Sequence, residues 1–111
     1  MSKDTETLLE HVLEAIERIE NYTENTSKEE FKQDVKTQDA VIRRLEIVGE
    51  AIKKLPEDFK EDNRESIWEG AAGMRDILIH QYFGVDLDII WNTINQTLPE
   101  LKENIKEVKK S

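Results

Sequence analysis

Apolar residues recur at three- and four-residue intervals along most of the chain, the spacing of helices that each bury one face. From Asp4 to about Asn25 the stripe runs through Leu8, Val12, Ala15, Ile16, Ile19 and Tyr22, with Glu6, Glu10, Glu14, Glu17 and Glu20 largely outside it. Asp4, or Ser2 with a less settled start, is the expected cap, and the acids of the first turns suit the positive end of the helix dipole. His11 flanks the stripe near Tyr22 and reads as a boundary histidine. Asn25, Thr26 and Ser27 form a turn, and Ser27 with Glu30 is a capping box that restarts a helix. A short turn from Lys28 to about Lys32, with room to run on through Asp34, precedes a second long helix from about Val35 to Leu55. Its Ile42, Leu45, Val48, Ile52 and Leu55 make a bundle seam. Arg43, Glu46, Ile47 and Glu50 on the other side are spaced for ion pairs within the helix, so that side reads as a solvated charged face. The sharper alternative is that Arg43 or Arg44 reaches the reactive stretch described below.

Leu55-Pro56 ends that helix, because a residue before proline avoids the helical region. Glu57 to Arg64 is expected as a loop or single turn, and Ser66 as the cap of a helix from Ile67 to about Phe83. Gly70, Ala71, Ala72 and Gly73 give this helix a thin waist. Each glycine costs about 1 kcal/mol against alanine, a cost that makes sense where another helix, or the twin helix of a second copy, comes close. Gly84 is placed to stop the helix in the left-handed conformation. Asp86 then caps a last helix through Leu87, Ile90, Trp91 and Ile94. Leu98-Pro99 interrupts it, either as a kink or as the first turn of a new helix, and Leu101, Ile105 and Val108 resume the stripe. Nothing alternates like a strand. The expected fold is all-α, a four- to five-helix up-and-down bundle over residues 1–111 as one domain.

Composition narrows the chemistry. Charged and hydrophobic residues each make up 37% of 111 residues, so each helix offers one apolar stripe and little more, and pairing with a second copy would add needed burial. With no cysteine, disulfides, thiolate metal sites and a cysteine nucleophile are excluded. The acidic helical start lacks the pattern of a signal peptide, and no window approaches the roughly 18 apolar residues of a membrane span. A soluble, cytoplasmic protein is expected. The net charge of −9 argues against holding nucleic acid by bulk attraction, though a cleft lined by a few arginines can still bind RNA. The same field favours a basic partner protein. Two histidines give no zinc spacing, no spacing singles out a carboxylate site, and there is neither a phosphate-binding glycine loop nor a serine-centred triad. No metal and no cofactor are expected.

Against this background Gly73 to Phe83, GMRDILIHQYF, stands apart. On a helix Met74, Ile77 and Leu78 fall on one side, Arg75, Asp76 and His80 cluster on the other, and Tyr82 comes back beside Arg75. Asp76, four residues before His80, is placed to accept from one imidazole nitrogen and orient the ring, leaving the other nitrogen free. Such a set suits phosphodiester transfer. A neutral imidazole, with an unperturbed pKa of about 6.5, can take the proton of a ribose 2′-hydroxyl, while a guanidinium grips the phosphate as charge builds. Attack by the 2′-oxygen needs no metal, and it cuts RNA but not DNA. One histidine supplies a base but no acid; a symmetric dimer with its thin helices facing would bring two of each residue into one cleft. An arginine and a histidine near a helix end are also ordinary surface features, and Tyr82 alone reads as a helix-end aromatic with its hydroxyl in water.

Arg75, four residues, His80, one residue, Tyr82 resembles the R-x4-H-x-Y motif of the HepT-like branch of the HEPN superfamily. The likeness extends, in order, to Gly49-Glu50-Ala51, Trp68, Gly73-Met74-Arg75, His80 through Asp86, Trp91 and Leu98-Pro99-Glu100-Leu101, covering about Leu8 to Ile105. The family's commonest pattern has Asn where this chain has Asp76, an acid placed to pair with Arg75. The resemblance implies a homodimeric, metal-independent endoribonuclease toxin of a type VII-like toxin-antitoxin module, with Arg75 and His80 of both subunits in the cleft. It also implies a partner, a minimal nucleotidyltransferase that acts as antitoxin by adding AMP to Tyr82. The rival expectation is a catalytically inactive helical dimer that binds nucleotide or regulates the neighbouring transferase.

Overall fold

The computed structural model describes residues 2–62 and 86–110. The described residues are helical with short connections and contain no strand, so the all-α expectation holds. Helix α1, Lys3–Thr23, is capped by Ser2, whose side chain accepts from the Thr5 backbone N–H at 3.1 Å. Of the two expected caps the serine is the one used. Thr5, itself buried, receives the Ser2 hydroxyl at 2.9 Å, so the threonine carries no unmet polar atom into the interior. The buried stripe is Leu9, Val12, Ala15, Ile16 and Ile19. Leu8, expected in the stripe, is half-buried beside Leu9, and His11 is exposed to solvent rather than at a boundary.

After a turn in which Asn25 takes φ 58°, the Ser27–Glu30 capping box forms in both directions, at 3.1 Å and 3.0 Å. It starts helix α2, Lys28–Gln33, which drives Phe31 wholly into the core. Asp34 ends α2 and caps the next helix without a linker between them, accepting from the Thr37 N–H at 3.1 Å and the Thr37 hydroxyl at 2.6 Å. Helix α3, Val35–Lys53, buries Val41, Ile42, Leu45, Val48, Ala51 and Ile52 against α1, with Leu55 just beyond its end also buried. Helix α4 follows Pro56 as Glu57–Asp62, where the expectation is a loop or a single turn. The expected helix from Ile67 to Phe83, its Ser66 cap, its thin waist and its Gly84 stop lie outside the described residues.

Helix α5, Leu87–Asn92, opens on Asp86, which accepts from the N–H groups of Asp88 and Ile89. It runs without a break into a π-helical turn, Thr93–Thr97, and on into α6, Leu98–Lys110. Pro99 thus sits in the first turn of α6, the second of the two sequence alternatives, although the helix before it joins through the π-helical turn rather than ending. A proline cannot donate to the turn before it, and its ring crowds the carbonyl four residues back. The chain widens one turn just ahead of Pro99, where the Leu98 N–H reaches five residues back to the Thr93 carbonyl, and so continues as a helix. Glu20 pairs with Lys102 at 2.9 Å and Glu10 with Lys109 at 3.5 Å, which sets α6 antiparallel to α1. The core lies where α1, α3 and the α5–α6 arm meet, with Ile90, Ile94, Leu98, Leu101 and Ile105 supplied by the arm.

Candidate functional site

The described chain ends at Asp62 on one side of the reactive stretch and resumes at Asp86 on the other. Arg75, Asp76, His80 and Tyr82, the residues to which the sequence assigns catalysis and modification, lie outside the described residues. Asp86, which closes the stretch in sequence, is fixed by the two amides it caps. Immediately after it, Asp88 takes Lys28 and Lys32 of α2 at 3.1 Å each, and the lysine ammoniums hold its carboxyl below the usual range. Behind these pairs the Phe31 and Trp91 rings meet with centroids 5.4 Å apart at 37°. The point where the chain leaves the stretch is thereby tied to α2.

Of the charged face of α3, Arg43 is exposed and pairs with Glu46 at 3.4 Å, as its spacing predicts. Arg44 behaves differently. Half-buried, it lends positive charge to the surroundings of Tyr22, whose half-buried ring packs on the core at the end of α1. Arg18, one turn before Tyr22, pairs with Glu14 at 3.1 Å. Arg44, opposed by burial and then helped by Arg18, holds the Tyr22 phenol below its ordinary value, because positive donors favour the phenolate. Positive charges from two different helices thus act on one phenol. Sequence reasoning missed this group: Arg18 and Tyr22 are four apart and legible as neighbours, but Arg44 joins them only through the packing of α3 on α1. Whether Arg43 or Arg44 approaches Arg75 falls outside the described residues, and Glu50 is exposed. Among the described residues no cluster of three or more histidines and carboxylates could hold a metal ion, and no helix is long and apolar enough to cross a membrane.

Direct comparison bears out the family resemblance of this helical chain. The chain belongs to the ribonuclease HepT-like family, of the HEPN superfamily, whose model matches residues 12–108. A probable ribonuclease HepT of Thermococcus cleftensis is 46% identical over 99% of this chain and 100% of its own length. A putative RNase of Caldanaerobacter subterraneus is 45% identical over 90% of this chain and 89% of its own. A gamma-glutamylcyclotransferase and putative RNase of Methanocaldococcus jannaschii is 48% identical over 97% of this chain; the chain spans 49% of that longer relative. No solved structure matches.

Proposed function

We propose that this chain is a metal-independent endoribonuclease that acts as a homodimer, the toxin of a two-gene module held in check by a nucleotidyltransferase. The observation that carries the reading is the family match over residues 12–108, a span that contains Arg75, Asp76, His80 and Tyr82 at the R-x4-H-x-Y spacing. In the reaction, neutral His80 of one subunit takes the proton of a ribose 2′-hydroxyl, with Asp76 orienting the ring. The 2′-oxygen bonds to phosphorus and the bond from phosphorus to the 5′-oxygen breaks. Protonated His80 of the second subunit returns a proton to the departing 5′-oxygen, while Arg75 bears the charge on the phosphoryl oxygens. The products are a 2′,3′-cyclic phosphate and a 5′-hydroxyl. AMP attached to Tyr82, beside Arg75, would place a phosphate where the substrate's must sit and so silence the cleft. This assigns RNA as substrate, DNA as a non-substrate, the cytoplasm as the site of action and no cofactor.

A second reading is favoured by two features of the sequence, the net charge of −9 and the acid at position 76, next to Arg75. It is a catalytically inactive dimer that binds nucleotide or regulates the transferase. The two part on one experiment, cleavage of a cellular RNA pool by the purified protein in excess chelator. Wild type should cut and leave 2′,3′-cyclic ends, and His80→Ala, folded, should lose activity by about 100-fold or more. Absence of cutting by unmodified wild type would sink the nuclease reading in favour of the inactive dimer. Co-expression with the transferase should add the mass of AMP to wild type at Tyr82 and not to Tyr82→Phe.

A further inference from the structure

Two sets of contacts fix the first turn of α5, where the chain returns from the reactive stretch. On the inner side Asp86 accepts from the amides of Asp88 and Ile89, and Ile90 and the Trp91 ring pack on the core. On the outer side Lys28 and Lys32 bring both ammoniums to a single oxygen, Oδ1 of Asp88, at 3.1 Å each. The chain has 25 acids against 16 lysines and arginines, so charge balance does not explain an exposed carboxylate that draws two cations. Stability does not explain it either, since pairs between exposed side chains contribute at most about 1 kcal/mol. We propose that Lys28 and Lys32, acting through Asp88, are positioning residues for RNA cleavage: they clamp the first turn of α5 to α2 and so set the anchor from which the segment carrying His80 and Tyr82 is held. The inference rests on the ribonuclease reading and adds residues that act on the cleft from outside it.

Three features of the clamp support it. The first is that α2 makes a fixed base. Six residues form no stable helix alone, yet this one is capped by Ser27 and Asp34, sinks Phe31 wholly into the core, and has the Phe31 carbonyl held by the Gln38 side chain at 2.8 Å. Lys28 and Lys32, four residues apart, share one face of that base, which is how both reach one oxygen. The second is that the clamp joins remote parts of the chain, position 32 to position 88, so it fixes α5 against a body of the fold that the local cap at Asp86 does not touch. The third is the shortness of the tether. Asp88 follows Tyr82 by six residues and His80 by eight, and eight residues span no more than about 29 Å even when extended. A displacement of about 1 Å at reacting groups can cost 100-fold in rate. A contact that adds little to stability can therefore add much to catalysis.

The test is cleavage of labelled RNA in excess chelator, with kcat and KM separated, by Asp88→Asn and by Lys28→Gln/Lys32→Gln. Each should lower kcat on the order of tenfold, with KM nearly unchanged and only a small shift in Tm. Lys28→Arg/Lys32→Arg keeps both charges and should recover most of the lost kcat. Lys109→Gln removes a cation from another pair between helices, that with Glu10, and should leave kcat alone. Hydrogen exchange over residues 75–82 is a readout that needs no catalysis; it should quicken in Asp88→Asn and in the double Gln variant while α1 and α3 stay as protected as in wild type. Unchanged kcat in both variants would overturn the clamp, as would an equal loss in Lys109→Gln or unaltered exchange. A loss confined to KM would also overturn it, and would make the lysines contacts for RNA. A wild type that cuts no RNA would defeat the ribonuclease reading alone, and the exchange comparison would then decide the clamp.

Discussion

On α1 and α3, Leu9, Val12, Ile16, Ile19, Val41, Leu45 and Val48 leave no surface to water, and the seam between them is apolar along its length. Between α2 and α5 a single ring, Phe31, is buried as deeply, and around it stand exposed charges, Lys28 and Lys32 on Asp88, together with the caps at Ser27, Asp34 and Asp86. The seam gains its stability from area removed from water. The corner gains little from its exposed pairs; what its polar groups do is fix where helices begin and end. Burial decides how tightly the chain holds, and capping decides where it turns.

This contrast is open to direct attack. Leu45→Ala removes a wholly buried side chain from the seam and should cost about 3 kcal/mol, read as a lower urea midpoint at unchanged slope. A loss under about 1 kcal/mol would mean that the seam collapses easily around the gap. Asp86→Ala takes away the cap on which two amides depend and should cost about 1 kcal/mol in the same measurement. The smallest effect belongs to Asp88→Asn. The Asp88 carboxyl is held below its ordinary value, first by hydrogen bonds to Lys28 and then to Lys32, so its contribution is complete above the usual carboxylate range and disappears as pH falls through the lowered value. The difference in Tm between wild type and Asp88→Asn should therefore be present near neutral pH, shrink in acid and shrink again in high salt. A gap that persists below the folded value would assign the effect to something other than charge.

The same contrast explains which features a sequence can declare. Seam helices announce themselves by period, and Ile42, Leu45, Val48, Ile52 and Leu55 are all buried as their spacing requires. Caps are local, so Ser27 with Glu30, and Asp86, are equally legible. Phe31 is not, because six residues are too few to show a period and its neighbours are charged. Periodicity favours Leu8 where the structure buries Leu9, since both lie within the arc of a stripe and the choice between them is made by the helix opposite. Pro99 announces an irregularity, but the remedy is a property of the backbone ahead of it, which no side chain in the sequence declares. The candidate site divides in the same way. R-x4-H-x-Y is a local spacing and is visible at once, whereas the approach of Arg44 to Tyr22 joins positions 22 residues apart and exists only after α3 has packed on α1.

Asp34 carries a consequence for how this chain can vary in length. It is the C-terminal cap of one helix and the N-terminal cap of the next, with φ −109° and ψ 88°, and no spare residue lies on either side. One residue inserted at this elbow and taken up into α2 would rotate the face that carries Phe31 by about 100° and swing Phe31 out of the interior. An insertion in the turn around Asn25, before α2 begins, could be taken up in the loop. Lineages of this protein that differ in length should therefore carry their extra residues before Ser27 and keep the interval from Phe31 to Val41 constant.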